Sequence, residues 1–301
     1  MIYQKTIWGR VSRRSRCPIC DAPDWCSVSS DGNVVFCMRT ISEKPVETKH
    51  GLGYIHKLTG EMQEVAKRVC RRPAIAKRRQ SICGDLSKRA QESIILANFV
   101  DLARTLGVSC DSLRRLHVGW YEEWHNDKHY SGWSFPMRST RGETVGMRIR
   151  NGRAKFSAPG FTEGLFIPDG IPHRGGRLYI VEGPTDCAAM LDLGGHCIGR
   201  PNCSGGVDDL LSWGRKREVI IIADRDKDKI RPDGSKWNPG WDGAIDLAEK
   251  MVHSAKTLYV MKPIGAKDVR EWSKKNPKLN EAAVFLVAKS QGAWPQQKKS
   301  E

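Results

Sequence analysis

Four acidic side chains of this 301-residue chain follow two hydrophobic runs, at points where buried strands are expected to end. Glu182 and Asp186 flank a turn made possible by Gly183, and Asp224 and Asp226 lie two residues apart in an extended segment. Carboxylates packed into one crevice repel one another unless a cation neutralises them, and hard oxygen ligands suit Mg²⁺ or Mn²⁺. Such a site is typical of phosphoryl transfer, in which metal ions hold phosphate oxygens and stabilise developing charge.

Each acidic segment also has a simpler interpretation, as a turn or as the N-cap of a helix. For Asp186 alone, capping explains the residue as well as metal binding does. For the two segments together the site is favoured, because an open α/β sheet binds ligands beyond the carboxyl ends of its strands, where the two segments would meet.

Four of the ten cysteines form a cluster near the N-terminus with metal-binding spacing: Cys17, Cys20, Cys26 and Cys37. The two-residue spacer at the start lets both sulfurs reach one tetrahedral Zn²⁺. Four thiolates form a closed site with no position for a catalytic water, so this zinc is expected to be structural and to fold its module.

The charge of the chain indicates a polyanionic partner. Fifty Lys and Arg against thirty-four Asp and Glu give a net charge of +16, and the basic residues are concentrated at positions 10–16 and 67–79. A basic surface attracts nucleic acid, although a basic protein without such a ligand is the alternative. No run is long enough to span a membrane and no secretory signal is present, so a cytoplasmic protein without a membrane partner is expected.

The elements that must position the acidic residues alternate between strand and helix. Hydrophobic runs predict strands at residues 177–181, 196–198, 218–223 and 257–261. Helices are predicted between them, at residues 185–193, 207–213 and 241–253. This alternation predicts an α/β fold with a mainly parallel sheet and helices on both faces. Upstream, helical spacing from about residue 85 and short strands broken at Arg141-Gly142 and Asn151-Gly152 predict an α+β half.

Three segments of this region resemble the TOPRIM domain of primases, topoisomerases and some nucleases. They are a strand ending in EGPTD, the glycine-containing segment GRPNCSGG and a strand ending in DRD. The resemblance implies that Glu182 is the acid/base residue and that Mg²⁺ or Mn²⁺ is held by Glu182, Asp224 and Asp226. It gives Asp186, at the second acidic position of the first motif, a supporting catalytic role.

The upstream half resembles the N-terminal half of the bacterial replicative primase catalytic core, in the segments LARTLGVSCDSLRRLHVGW, FPMRSTRGETVGMRIRNGRAKFSAPG and LFIP. With PIGAKDVREW, which is similar to the segment that closes the domain in primases, the resemblance covers about residues 85–275. It implies that Arg148 and Lys155 belong to a basic ridge for template or nucleotide phosphates. Arg138 and Arg150 lie nearby and are expected to add phosphate contacts, although a solvated arginine on a strand is the alternative for each.

The zinc domain of bacterial primases usually mixes histidine with cysteine and has a second two-residue spacer, which this chain lacks. His50 or His56 in place of Cys26 or Cys37 is therefore an alternative ligand set. The predicted organisation is a zinc-binding ribbon, a basic linker, a primase-like N-terminal part of the core, a TOPRIM domain, and a C-terminal helix and tail, at residues 1–60, 61–84, 85–174, 175–275 and 276–301.

The predicted function is synthesis of short RNA primers on a single-stranded DNA template from nucleoside triphosphates, with structural Zn²⁺ and catalytic Mg²⁺ or Mn²⁺. A TOPRIM nuclease is one alternative, opposed only by the primase-like upstream half. A non-catalytic zinc/TOPRIM nucleic-acid-binding mediator is another, opposed by the retention of all four acids. The sequence has no Gly-Lys-Ser or Gly-Lys-Thr phosphate-binding loop, so any helicase or replication initiator is expected to be a separate protein, as in a plasmid, phage or mobile element.

Overall fold

The computed structural model describes residues 8–13, 15–29, 31–48, 51–60, 62–63, 66, 81–152, 154–230 and 234–294. The chain divides into two compact units, Met1–Arg79 and Gln80–Glu301. Most of the predicted basic linker, residues 67–80, lies outside the described residues. Within the described ranges, no helix has the length and apolar character needed to cross a membrane.

The first unit is built on an antiparallel sheet of five strands. These are β1 (Trp8–Arg10), β2 (Ser27–Ser29), β3 (Val34–Cys37), β4 (Pro45–Thr48) and β5 (Gly51–Lys57), in the order β1-β2-β3-β5-β4. The buried side chains of this unit are few and small, with Val28 and Val35 beside three of the clustered cysteines. So small an apolar core supplies little stability by itself, which is typical of a module that a metal ion folds.

The second unit begins with helices and an antiparallel sheet. The helices are α1 (residues 81–92), α2 (Leu96–Leu106) and α3 (Cys110–Arg115). The sheet follows chain order, with β6 (Gly119–His125), β7 (Lys128–Arg138), β8 (Thr144–Asn151) and β9 (Ala154–Ser157). Turns lie at Arg141-Gly142 and Asn151-Gly152, as the sequence predicts. Residues 81–84, assigned to the linker from the sequence, are helical.

The second half of this unit is a four-stranded parallel sheet. Its strands are β10 (Arg177–Glu182), β11 (Cys197–Arg200), β12 (Glu218–Ile222) and β15 (Thr257–Met261), in the order β11-β10-β12-β15. The helices are α4 (Pro184–Asp192), α5 (Val207–Gly214), α6 (Pro239–Met251), α7 (Val269–Lys275) and α8 (Glu281–Ser290), and a two-stranded ribbon of β13 (Lys229–Ile230) and β14 (Lys236–Trp237) precedes α6. The strands and helices predicted here agree with the structure to within two residues at each end.

Helices cover both faces of the parallel sheet. Successive residues of a strand point to opposite faces, so neighbouring strand residues pack against different helices. Leu178, Ile180 and Ile221 pack in a cluster with residues of α5 and α6. Tyr179 and Ile220 pack in a second cluster with residues of α4, α7 and α8. The predicted α/β class, with a parallel sheet and helices on both faces, is therefore confirmed.

A short segment ties the two sheets of this unit together. Leu165 pairs with Arg138 at the end of β7, and Phe166 pairs with Gly199 in β11. The Phe166 N–H donates to the Gly199 carbonyl at 2.9 Å, and the Gly199 N–H donates back at 3.0 Å. This connection places the β8–β9 hairpin beside the carboxyl ends of the parallel strands.

Candidate functional site

A cleft of about 240 Å³ opens at the carboxyl ends of β10 and β12. The four predicted acidic residues line it together: Glu182, Asp186, Asp224 and Asp226. Asp268, at the start of α7, adds a fifth carboxylate. Basic side chains lie around the same cleft: Arg148, Lys155, Lys267 and Arg270. The structure thus brings together acidic and basic groups from segments up to 122 residues apart in sequence, since 270 − 148 = 122.

The turn after β10 places two of the acids. Glu182 is the last residue of β10, and Gly183 has φ 82° and ψ 170°, a backbone conformation nearly restricted to glycine. Pro184 opens α4, where its fixed φ suits the first helical position. The strand therefore turns directly into the helix, and Asp186 in the first turn of α4 reaches the same cleft as Glu182.

Asp186 contacts the first turn of a helix other than its own. Its Oδ1 accepts a hydrogen bond of 3.0 Å from the backbone N–H of Arg270, in the first turn of α7. Asp186 is only 6% exposed. The N-cap of α7 is Asp268, whose side chain accepts the Glu271 N–H at 2.7 Å. Burial and repulsion by Asp268 raise the pKa of Asp186 to about 7. Asp186 is therefore not the N-cap of either helix: it accepts an N–H from the first turn of α7 and lines the cleft, and its catalytic role stays a prediction.

Asp224 and Glu182 are also destabilised in their charged form. Burial, followed by repulsion from Asp186 and Glu182, raises the pKa of Asp224 to about 8. Burial and repulsion from Asp226 raise the pKa of Glu182. Lys267 Nζ lies 3.7 Å from Asp226 Oδ1, so one of the acids has a cationic neighbour. Glu182, Asp186 and Asp224 are hard oxygen donors with raised pKa values, and their chemistry suits a divalent cation such as Mg²⁺ or Mn²⁺, which would stabilise their charged forms.

The four predicted basic residues separate into two groups. Arg148 and Lys155 line the cleft, with Arg148 Nη2 donating to Glu163 at 3.0 Å and to the Pro201 carbonyl at 3.2 Å. Arg138 instead donates to Asp169 at 2.9 Å and to the Ile167 carbonyl at 3.3 Å. Neither Arg138 nor Arg150 is among the residues that line the cleft. Arg150 is half-buried, and burial and the nearby charge of Arg270 lower its pKa.

Two residues that line the cleft, Lys267 and Asp268, and a buried neighbour of Glu182, Arg200, were not predicted as site residues. Lys267 and Asp268 lie in the PIGAKDVREW segment, and the signal that could have identified them is their position after β15, at the same edge of the sheet as the acids. Arg200 ends β11, is paired in register with Glu182 and is 4% exposed. Its guanidinium donates to the carbonyls of Gly205 at 3.3 Å and Gly243 at 3.1 Å, and its positive charge acts against the rise in the Glu182 pKa.

The four clustered cysteines meet in the first unit. Their Sγ atoms all lie within 4.8 Å of one another, with 3.7 Å between Cys20 and Cys26 and 3.9 Å between Cys26 and Cys37. Tetrahedral coordination with Zn–S bonds of about 2.3 Å separates the sulfurs by about 3.8 Å. The cluster therefore has the ligand type and spacing that a zinc ion requires.

Hydrogen bonds to sulfur favour the thiolate form of one of these cysteines, Cys37. Although burial opposes it, the backbone N–H groups of Arg39 and Thr40, 3.5 and 3.3 Å from Cys37 Sγ, lower the pKa of Cys37 to about 7. Of the two alternative histidine ligands, His56 lies with Nε2 3.0 Å from the Thr40 carbonyl and is not part of the cluster. His50 lies outside the described residues.

No protein-family model matches this sequence, and no curated protein matches it significantly. Among solved structures it is similar to a DnaG primase catalytic domain bound to single-stranded DNA, at 18% identity and a TM-score of 0.53 over 73% of this chain and 80% of that one. It is also similar to the E. coli primase catalytic core, at 16% identity and 0.52 over 71% and 80%. The zinc-binding and RNA polymerase domains of Aquifex aeolicus primase match at 13% identity and 0.50 over 96% of this chain and 81% of that one. The chain therefore has the fold of a primase catalytic core, with a cysteine cluster near its N-terminus.

Proposed function

We propose that this protein is a DNA primase, a DNA-directed nucleotidyltransferase that makes short RNA primers on single-stranded DNA. One observation carries the proposal: in a fold shared with primase catalytic cores, five carboxylates and four cations line a single cleft at the carboxyl ends of the parallel sheet. The carboxylates suit the metal ions and the cations suit the phosphates of a nucleotidyl transfer. The TOPRIM assignment and the finer domain boundaries predicted from the sequence belong to the same proposal.

Glu182, Asp224 and Asp226 would hold Mg²⁺ or Mn²⁺ in this enzyme. When bound, the ion supplies positive charge for the phosphate oxygens and for the charge that develops on the leaving group. Asp186 has a different task, since one of its oxygens accepts the Arg270 N–H and fixes the first turn of α7 against α4. It thereby holds Asp268 at the edge of the cleft, which is a positioning role in agreement with the supporting role predicted for it.

Glu182 is the group we assign to proton transfer from the 3′-hydroxyl of the growing primer. A general base works best when its pKa lies near the operating pH, and burial moves the pKa of Glu182 upward in that direction. The neighbouring positive charge of Arg200 acts against this rise in the Glu182 pKa. Lys155 and Lys267, both exposed, and the more enclosed Arg148 would contact template and triphosphate oxygens without sequence specificity.

We assign Zn²⁺ to the four cysteines, as a structural ion that folds the first unit and lets it contact template. Single-stranded DNA and nucleoside triphosphates are the proposed ligands of the second unit, and a similar catalytic domain has been solved with single-stranded DNA bound. A replicative helicase or a replication initiator would be supplied as a separate protein.

Incubation with single-stranded DNA, labelled nucleoside triphosphates and Mg²⁺ or Mn²⁺, followed by separation of products by size, tests the proposal. The native protein should make short labelled oligomers, and Glu182→Gln should lower their yield by about 10²- to 10⁴-fold, since it removes the base. Glu92→Gln, an equivalent change at an exposed position of α1, is the control and should retain activity. Cleavage of the template by the native protein would instead identify a nuclease, and binding without either product would identify a non-catalytic mediator.

A further inference from the structure

A second cleft lies at the opposite edge of the parallel sheet, where the strands begin. It has a volume of about 630 Å³ and is lined by side chains that include Lys216, Arg217, Lys256 and Arg177, with Glu218 as the acidic residue of its lining. From Arg217 to Asp224 the chain runs along β12, a distance of about 23 Å at roughly 3.3 Å per residue. The basic cleft is therefore separate from the acidic cleft described above.

Arg217 places a buried positive charge at this cleft. It is 1% exposed, and its guanidinium donates to three backbone carbonyls: those of Pro172 at 2.8 Å, Arg177 at 3.3 Å and Gly176 at 3.4 Å. Burial lowers the pKa of Arg217, and no carboxylate among the described residues acts against that shift. Buried arginines are normally paired with an anion, so a full charge satisfied only by neutral carbonyls is unusual.

Two exposed lysines lie next to this charge, on two loops that are joined by backbone hydrogen bonds. The Lys216 N–H donates to the Ser254 carbonyl at 2.7 Å, and the Lys256 N–H donates to the Arg217 carbonyl at 2.8 Å. The Thr257 N–H donates to the same Arg217 carbonyl at 3.3 Å. Lys216 also has a φ of 58°, in the left-handed region that favours glycine. Backbone bonds across the two loops therefore fix the places from which both ammonium groups extend.

The acidic residue of this lining is already neutralised. Glu218 accepts the Arg177 Nε–H at 2.9 Å, and the same guanidinium donates to Glu281 and lies over the ring of Phe285. Arg177 is therefore shared between Glu218, in the lining, and Glu281, outside it, so Glu218 is already paired with a cation. Within the described residues, the remaining charge of the lining comes from Lys216, Arg217 and Lys256, which are all positive.

We propose that this basic cleft is a second phosphate-binding site, which takes the phosphates of a nucleic acid strand or of a free polyphosphate such as a nucleotide. Lysine binds phosphate as a point charge, and two exposed lysines beside the buried charge of Arg217 favour a ligand that carries several negative charges. The net charge of +16 favours the same class of ligand. The site goes beyond the proposed primase activity, because it uses none of the residues of the acidic cleft.

Lysine footprinting of the full-length protein tests the site directly. Acetylation of each lysine is measured by mass spectrometry, without added Mg²⁺, in the presence of tripolyphosphate, a single-stranded DNA oligonucleotide or oligoglutamate. Tripolyphosphate should protect Lys216 and Lys256 several-fold and leave the exposed Lys250 and Lys278 unchanged. Protection by DNA as well would identify a nucleic acid strand as the source of the phosphates, and protection by tripolyphosphate alone would identify a free nucleotide.

Absence of protection by either phosphate ligand would overturn the proposal, and protection by oligoglutamate alone would replace it with an acidic protein partner. A double variant, Lys216→Ala with Lys256→Ala, should bind tripolyphosphate several-fold more weakly. If the source is DNA, it should also reduce the slope of log affinity against log salt by about 1.4, at about 0.7 for each lost contact. The charge-matched control, Lys250→Ala with Lys278→Ala, should leave both values unchanged. Because these tests do not measure primer synthesis, their failure is distinguishable from failure of the primase proposal.

Discussion

At the scale of single residues, the acidic cleft combines burial with like charge. Asp224 and Asp186, whose ordinary pKa is 3.8, have pKa values of about 8 and about 7 in the folded chain. Both are raised first by burial and then by neighbouring carboxylates. Such a cluster disfavours the folded state when it is ionised and is relieved by a cation. A bound divalent cation would therefore stabilise the acidic cleft.

The sign of the pH dependence follows from the direction of these shifts. Because the folded-state pKa of Asp224 lies above its unfolded value, its contribution to stability is fully present below about pH 4 and is lost as the pH rises through about 8. The melting temperature of the metal-free protein should therefore fall between about pH 5 and pH 8. Mg²⁺ should restore it more at pH 8 than at pH 5.

Asp224→Asn checks this assignment by calorimetry or fluorescence melts. The neutral amide should raise the melting temperature of the metal-free protein at pH 8, by roughly 2 to 4 °C for each kcal/mol of relieved repulsion. It should also abolish most of the stabilisation by Mg²⁺. The control is Asp111→Asn, an exposed position in α3. A variant that melts at the native temperature at both pH values, with the full Mg²⁺ response, would contradict the assignment.

At the scale of elements, two turns set the positions of the ligands. The turn from β10 into α4 depends on the conformation of Gly183, since a Cβ there would meet no atom within 4 Å but would require a strained backbone. In the first unit, the turn that contains Cys20 and the end of β3 at Cys37 bring the sulfurs to one point. In both places the backbone, rather than side-chain packing, fixes the geometry.

Gly183→Ala should therefore destabilise the protein by roughly 1 to 3 kcal/mol, the cost of holding a non-glycine residue in this conformation. It should also lower primer synthesis, because Glu182 and Asp186 depend on that turn. Denaturant unfolding and the primer assay measure the two effects. Gly84→Ala, in the helix of residues 81–92, is the control and should stabilise by roughly 1 kcal/mol instead. Equal effects of the two variants would contradict the conformational explanation.

Zinc should be necessary for the fold of the first unit alone. The native protein is expected to carry one zinc ion per chain, measured by mass spectrometry of the metal content, and Cys26→Ser should lose most of it. Hydrogen exchange should then show loss of protection in β2, β3 and β5, while β10 and β12 keep theirs. Cys110→Ser, a change of a cysteine outside the cluster, should keep the full zinc content. Full zinc in Cys26→Ser would show that another residue, such as His50, completes the site.

At the scale of the whole molecule, the net charge of +16 and the placement of individual cations have different consequences. The overall charge attracts nucleic acid at long range, whereas only the cations that face a cleft bind individual phosphates. Lys155 faces the acidic cleft, while Arg138 is held by Asp169. Sequence composition counts Lys155 and Arg138 equally as positive charges, whereas their surroundings in the folded chain differ.

Binding to single-stranded DNA should depend steeply on salt. The three cations assigned to phosphate contacts, Arg148, Lys155 and Lys267, should alone give a slope of about −2.1 in log affinity against log salt, at about −0.7 for each phosphate contact. Lys155→Ala should reduce the magnitude of this slope by about 0.7, and Arg138→Gln should leave it unchanged. Fluorescence anisotropy over a range of salt concentrations measures these values. An equal change in both variants would show that overall charge, rather than the position of the side chain, determines binding.

The sequence is sufficient to predict the parallel sheet, because strands that are buried on both faces are continuous hydrophobic runs, which can be recognised without knowledge of the fold. It also placed Glu182, Asp186, Asp224 and Asp226 at one edge, since the carboxyl ends of parallel strands share an edge. It did not predict strand β6, because the turn at residues 126–127 carries the left-handed conformation on Asn and Asp without the glycine that usually marks such a hairpin.

Which charged residues contact one another depends on how the chain folds. Arg138 is paired with an aspartate 31 positions away, and Asp186 accepts from a helix 84 positions away. The buried Arg217 guanidinium donates hydrogen bonds to carbonyls about 40 positions upstream. Local sequence patterns indicate the hydrophobic period of a helix or strand and the residues at its ends. The contacts of these charged residues depend instead on which elements pack together after the chain has folded. For that reason four of the five acids of the cleft could be predicted from the sequence, and the partners of the cations could not.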